Sequence, residues 1–138
     1  MDEIIIDARG CVLGRLSSHI AKELLFGKRV IVVNSEKAVI SGSRKVVFGK
    51  YKKMRDMGTT RMGPFPSRMP DRILRRTVRG MLPYQKPRGR DAYKRLRTYI
   101  GVPAGIVAEN AERMDDLLFR GIKGVKLEDL SRDLGVNI

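Results

Sequence analysis

Apolar positions along this chain change period several times, and each change predicts an element. Ile4, Ile5 and Ile6 form an unbroken β-branched run, the pattern of a strand covered on both faces. Asp7 to Gly10 reads as a turn. Leu13, Leu16, Ile20 and Leu24 then recur at helical spacing, and Gly27 supplies the stop. Val30 to Val33 reads as a second buried strand. Strand, helix and strand within about 30 residues predict a right-handed βαβ unit with parallel strands. Val39 and Ile40 predict a short third strand.

The middle of the chain is patterned differently. Gly42 or Ser43 begins a helix with Val46, Val47, Tyr51 and Met54 on its apolar side, while Lys45, Lys50, Lys52, Lys53 and Arg55 cover the rest. Gly58 to Pro70 (GTTRMGPFPSRMP) has no periodicity and reads as a long loop. Loops of that length inside a domain are usually functional or ordered by a partner, and Arg61 and Arg68 suit an anionic one. From Asp71 the helical period returns. Ile73, Leu74, Val78, Met81 and Leu82 form one stripe, with Arg72, Arg75, Arg76 and Arg79 between them. Asp71 suits a first turn and Pro83 ends the helix.

A loop, YQKPRGR, follows and adds Lys86, Arg88 and Arg90. A short helical run with Lys94 and Arg95 leads to a last strand, Arg97 to Ile100, and GVPAG (Gly101 to Gly105) is a turn. Ala108, Ala111, Met114 or Asp115, and Leu118 predict a weak amphipathic helix. Leu127, Leu130 and Leu134 predict another, ended by Gly135. Without an internal repeat or linker, residues 1–138 read as one domain with a basic middle (44–97) and an acidic helical C-terminal tail (103–138).

Charge sharpens that division. The net charge is +14 over 138 residues. Residues 44–97 hold 18 Lys and Arg against 3 Asp and Glu, an excess of +15, whereas residues 98–138 hold 5 against 7. The four arginines of the Asp71–Leu82 helix repel one another by a few tenths of a kcal/mol per neighbouring pair unless an anion lies against them. A segment so charged suits a polyphosphate. Aromatic content is 6% with no Trp, so rings for base stacking are few.

Other chemistries are weakly supported. Gly10 and Gly14 in DARGCVLGR lack both the three-glycine dinucleotide pattern and the Lys-Ser/Thr of a phosphate loop, and tight strand-to-helix packing accounts for them. Cys11 is the single cysteine and His19 the single histidine, so neither a disulfide nor a zinc site is expected. His19 reads as a partly exposed structural residue. Asp7, Glu23 and Glu36 are scattered and form no acid–base pair. Catalytic residues, metal and cofactor are therefore expected to be none. The apolar run in MDEIIID is too short for a signal peptide, and no stretch approaches the roughly 20 apolar residues of a membrane span. Irregular basic segments without a helix-turn-helix, zinc or zipper pattern favour folded RNA over DNA.

The stretch VRGMLPYQKPRGRDAYKRLRTYIG, Val78 to Gly101, resembles the universal ribosomal large-subunit protein thirteen family. The resemblance rests on Gly80-Met81-Leu82-Pro83, on Gly89-Arg90 and on the segment closing at Gly101. IIIDARGCVLGRLSSHIA (Ile4 to Ala21) and VIVVNSEKAVISG (Val30 to Gly42) match in the family's order. The FGKRVIVVN and TVRGMLP wording is similar to the archaeal and eukaryotic branch.

This resemblance implies an α/β fold, a three-layer α/β/α domain around a small, mostly parallel sheet of about four strands. It implies a non-catalytic constituent of the large ribosomal subunit, cytoplasmic, bound to large-subunit rRNA beside neighbouring ribosomal proteins and helping assembly, and not a homo-oligomer. The residues expected to bind RNA are Lys50, Lys52, Lys53, Arg55, Arg61, Arg68, Arg72, Arg76, Arg79, Lys86, Arg88, Arg90, Lys94 and Arg95. Family matches support Arg79 and Arg90; the others rest on charge and position. Gly80 is expected to permit close packing or close RNA approach, with Met81 and Leu82 anchoring the helix to the core. Two rivals stand beside this reading. A free regulator bound to an mRNA shares the fold and the basic face and differs in location. A nucleotide-dependent RNA-modifying enzyme lacks its phosphate loop here.

Overall fold

The computed structural model describes residues 2–57, 61, 67–106, 111–113 and 115–137. In chain order these form β1 (Glu3–Asp7), α1 (Leu13–Leu25), β2 (Arg29–Val33), β3 (Val39–Ser41), α2 (Arg44–Asp56), α3 (Pro70–Met81), α4 (Pro87–Lys94), β4 (Leu96–Thr98), β5 (Glu112–Arg113), β6 (Gly124–Lys126) and α5 (Leu127–Asp133). The main sheet runs β4-β2-β1-β5, and each of its pairings is parallel. Five helices about this sheet place the chain in the three-layer α/β/α class.

Register explains the core. Ile4 sits opposite Val30 and Ile6 opposite Val32, and those two oppose Leu96 and Thr98. Apart from half-buried Ile4, this row is buried. Leu16, Ile20 and Leu24 of α1 and Leu74 and Val78 of α3 are fully buried in the same core. Burying each such side chain contributes about 1.5–3 kcal/mol. Ser43 caps α2, its hydroxyl accepting the Val46 N–H at 3.4 Å.

Several expectations are corrected. The third strand exists, but β3 pairs antiparallel with β6 in a separate two-stranded sheet. The strand expected at Arg97 to Ile100 is β4, which starts one residue earlier and ends two residues earlier, and it is not the last. Where the spacing of Ala108 to Leu118 predicts a helix, Glu112–Arg113 is a strand on β1 and Asp115–Leu117 is a 3-10 turn; residues 107–110 and 114 lie outside the described set. Backbone pairing wins there: Val12 N–H donates to the Leu117 carbonyl at 2.9 Å and Phe119 N–H to the Gly10 carbonyl at 2.8 Å. In the tail the one described α-helix is α5.

The basic middle departs too. Val46 is 68% exposed, and Phe48 packs against the core in its place beside Val47 and Tyr51. The YQKPRGR loop shortens to the turn 83–86, because Pro87 opens α4 at its first position, where its fixed φ suits a helix. Most of the Gly58–Pro70 loop, residues 58–60 and 62–66, lies outside the described residues, and Pro70 belongs to α3.

Candidate nucleic-acid interface

The face of α3 turned from the core carries Arg72, Arg76 and Arg79, all exposed. Ile73, Leu74 and Val78 bury the opposite face and Leu82, 6% exposed, closes the anchor. Met81 does not join it: it is 42% exposed, and its sulfur accepts a hydrogen bond from the Ser18 hydroxyl at 3.5 Å.

After the turn 83–86, α4 folds back over that turn and packs against α1, and glycine makes this possible at Gly89 rather than Gly80. A Cβ on Gly89 would run into the Pro83 carbonyl and come within 2.8 Å of the Tyr84 nitrogen. A Cβ on Gly80 would meet nothing within 4 Å. Gly14 is likewise open, so tight packing does not account for it, whereas Gly10 takes φ +73° in the turn after β1.

Aromatic rings hold two of the α3 arginines. The Arg79 guanidinium lies 4.0 Å from the Tyr84 ring centre and that of Arg75 5.0 Å from Tyr93. Arg75 Nε is buried and unpartnered, so the ring face is what compensates it. Neither tyrosine nor Arg75 stands among the candidates from sequence; the signal was Tyr84 and Tyr93 interleaved with Lys86, Arg88 and Arg90.

The remaining candidates divide. Arg76 lines two grooves, one with Arg79, Tyr84 and Lys86, the other with Tyr51 and Met54 of α2. Lys86, Arg88, Arg90 and Lys94 are exposed around α4. Arg90 Nη1 donates to the Gln85 carbonyl at 3.0 Å, which holds its guanidinium on the turn without neutralising it. Lys50 and Lys53 are exposed on α2, and Arg61 is exposed in the segment between α2 and α3. Besides Arg90, four candidates are engaged within the chain. Lys52 pairs with Asp133 at 3.3 Å and Arg55 with Asp56 at 3.1 Å. Arg68 reaches the Leu134 carbonyl at 3.4 Å. Arg95, half-buried, donates from Nη2 to the Leu24 carbonyl at 2.6 Å and so caps α1. A second cationic cleft brings the candidates Lys94 and Arg95 together with Arg29 and Arg97, which were missed from sequence, around Glu3.

The acidic tail explains part of this. Helix α5 sends Glu128 to Lys37 at 3.2 Å, Asp129 to Arg44 at 3.5 Å and Asp133 to Lys52. Leu127 and Leu130 are fully buried beneath those contacts. On α3, by contrast, Arg72, Arg76 and Arg79 make no ion pair among the described residues.

The polar groups at the strand ends are engaged locally. Asp7 accepts from the Arg9 N–H at 3.0 Å, Arg9 Nε at 2.7 Å and Asn34 Nδ2 at 3.2 Å. Burial pushes this carboxyl up, but those hydrogen bonds outweigh it and leave it below its ordinary value. The Cys11 thiol is buried and directed at the Asp7 carbonyl at 3.8 Å rather than at His19, and burial followed by the Asp7 charge raises its pKa. Half-buried His19 lines a cleft with Arg113, Asp115 and Asp116. Among the described residues no His, Cys, Asp and Glu cluster could hold a metal ion, and no helix is long and apolar enough to cross a membrane.

Fold and surface thus define a strongly cationic α/β domain whose helical face on α3 keeps its charge. The model for ribosomal protein L13 matches residues 1–104, and the chain belongs to that family, a structural and non-enzymatic one. It is 50% identical to the large ribosomal subunit protein uL13 of Archaeoglobus fulgidus over 97% of this chain and 88% of the relative. The uL13 proteins of Methanococcoides burtonii and Thermoplasma volcanium are 48% and 42% identical, each over 95% of this chain and over 96% and 97% of their own lengths. These archaeal similarities run into the tail that the family model leaves out.

Proposed function

We propose that this chain is built into the large ribosomal subunit in the cytoplasm, where it binds large-subunit rRNA and helps fold it. The α3 face and the α4 cations neutralise phosphates where RNA helices approach each other, while neighbouring ribosomal proteins complete its surroundings. The protein then holds an RNA shape together rather than reading a sequence. The observation that carries this reading is the exposed Arg72, Arg76 and Arg79 row, opposite a well-anchored apolar stripe and without an ion pair among the described residues. Such a row repels itself by a few tenths of a kcal/mol per neighbouring pair, and an anion laid against it removes that cost. Family membership and the names of the archaeal relatives supply the choice of polyanion.

Sedimentation of cell lysate through a high-salt sucrose gradient tests the proposal. Retention with the large subunit after the salt wash is the expected result. A chain at the top of the gradient, recovered with mRNA, would replace the ribosomal reading by a regulatory one.

A further inference from the structure

Phosphate neutralisation leaves one feature of the α3–α4 junction unused. Tyr84 stacks on Arg79 and meets Tyr93 edge-on, with ring centres 5.7 Å apart and planes at 84°. Arg75 covers Tyr93, so Arg79, Tyr84, Tyr93 and Arg75 form one continuous ladder across two helices. Its inner end is fixed by burial of Arg75 Nε, and its outer end is open, with Tyr84 36% exposed. A groove of about 560 Å³ lies beside that outer end, lined by Arg76, Arg79, Gly80, Leu82, Tyr84 and Lys86.

Gly80 is exposed beside this groove. A glycine in a helix destabilises it relative to alanine, and here a methyl group would touch nothing in the chain. Its absence leaves the α3 backbone open to a close partner. A stacked Arg–Tyr pair recognises a flat π-system, and cations at the rim recognise an attached anion. A nucleotide combines the two.

We infer that this groove takes one unstacked RNA base, laid over the Arg79–Tyr84 pair with its flanking phosphates on Arg76 and Lys86. The inference rests on the RNA-binding reading above and adds a single-nucleotide subsite to it. A base paired within a duplex cannot enter, so the subsite distinguishes a looped or bulged nucleotide from a helix.

The test uses the full chain with two RNAs, a single-stranded oligoribonucleotide carrying 5-iodouridine and a blunt duplex of equal length. Long-wavelength irradiation is expected to place the nucleotide adduct on Tyr84. Tyr84→Ala and Gly80→Val are each expected to weaken single-strand binding by roughly 5- to 150-fold, the range of one stacked base. Duplex binding by Gly80→Val should stay within about twofold, and Tyr84→Phe should restore single-strand binding by keeping the ring. Gly80→Val guards against misfolding, since no neighbouring atom opposes the new Cβ. Adducts confined to other peptides, or equal weakening on both RNAs, would overturn the subsite and leave the RNA-binding reading intact. Failure of the wild-type chain to bind either RNA would overturn both.

Discussion

Helix α2 carries six cations and α3 four, yet the chain neutralises them differently. Where α2 meets α5, Arg44 and Lys52 find Asp129 and Asp133, more than 80 residues away in sequence. On α3, Arg72 and Arg76 find no acid among the described residues, and Arg75 and Arg79 rest on aromatic rings, which leave the charge in place. Local charge density therefore does not tell compensated cations from uncompensated ones. The position of the compensating acids does, and only the fold fixes it.

The largest effect should come from deleting charge on the two sides in turn. Replacing Arg76, Arg79 and Arg90 by Ala should lower the slope of log K against log salt by about 2 to 3, at 0.7–0.9 per phosphate contact. Replacing Arg44 and Lys52 should lower it by less than about 1. Equal losses in a filter-binding titration would erase the distinction between the faces.

Next is the junction that aims α4. Gly89→Ala should destabilise the chain by about 1–3 kcal/mol in urea unfolding, because the added carbon overpacks the Pro83 carbonyl. Gly80→Ala should be neutral or stabilising by up to about 1 kcal/mol. Similar values for the two would show that Gly89 does not set the position of α4.

The α2–α5 clamp should be weaker. A double-mutant cycle on Lys52 and Asp133 is expected to give about 0.2–1 kcal/mol, shrinking as salt is raised, because both side chains keep solvent contact. No coupling at low salt would reduce the clamp to apolar packing by Leu127 and Leu130.

The smallest effect concerns the sheet and serves as a control for both faces. Asp7 has a pKa below its ordinary 3.8, so its contribution to stability is present above that value and lost as pH falls through the folded pKa. Asp7→Asn should flatten stability between pH 5 and the acid limb, about the unfolded Asp value near 4, and leave RNA binding unchanged. An unaltered acid limb in pH-dependent unfolding would show that the Arg9 and Asn34 hydrogen bonds contribute nothing net.

Sequence reading reached as far as local pattern reaches. Ile4 to Ile6, Leu13 to Leu24 and Val30 to Val33 pair their periods with near neighbours, and the βαβ unit followed from them. The α3 stripe was legible for the same reason. The phase of α2 was not, since Val46, Val47 and Phe48 are all apolar and only packing chooses among them. Pro87 breaks a helix from within but starts one at its first position, and the sequence does not separate these uses. Glu112 and Arg113 have no apolar alternation; β1 recruits them through backbone alone. For the candidate interface, residue type located the cations, while Lys52, Arg68 and Arg95 show that some are spent on distant partners.

The pairing of β1 also has a consequence in time. Ile6 meets Val32 after 26 residues of chain but Glu112 only after 106. Closing the longer loop costs about 1.2 kcal/mol more in chain entropy, and its partner strand is also synthesised far later. During translation the first βαβ unit therefore exists for a while with β1 as an unpaired edge, the kind of strand that invites intermolecular addition. Glu3 and Asp7, the charged residues at either end of β1, blunt that edge until the last third of the chain arrives.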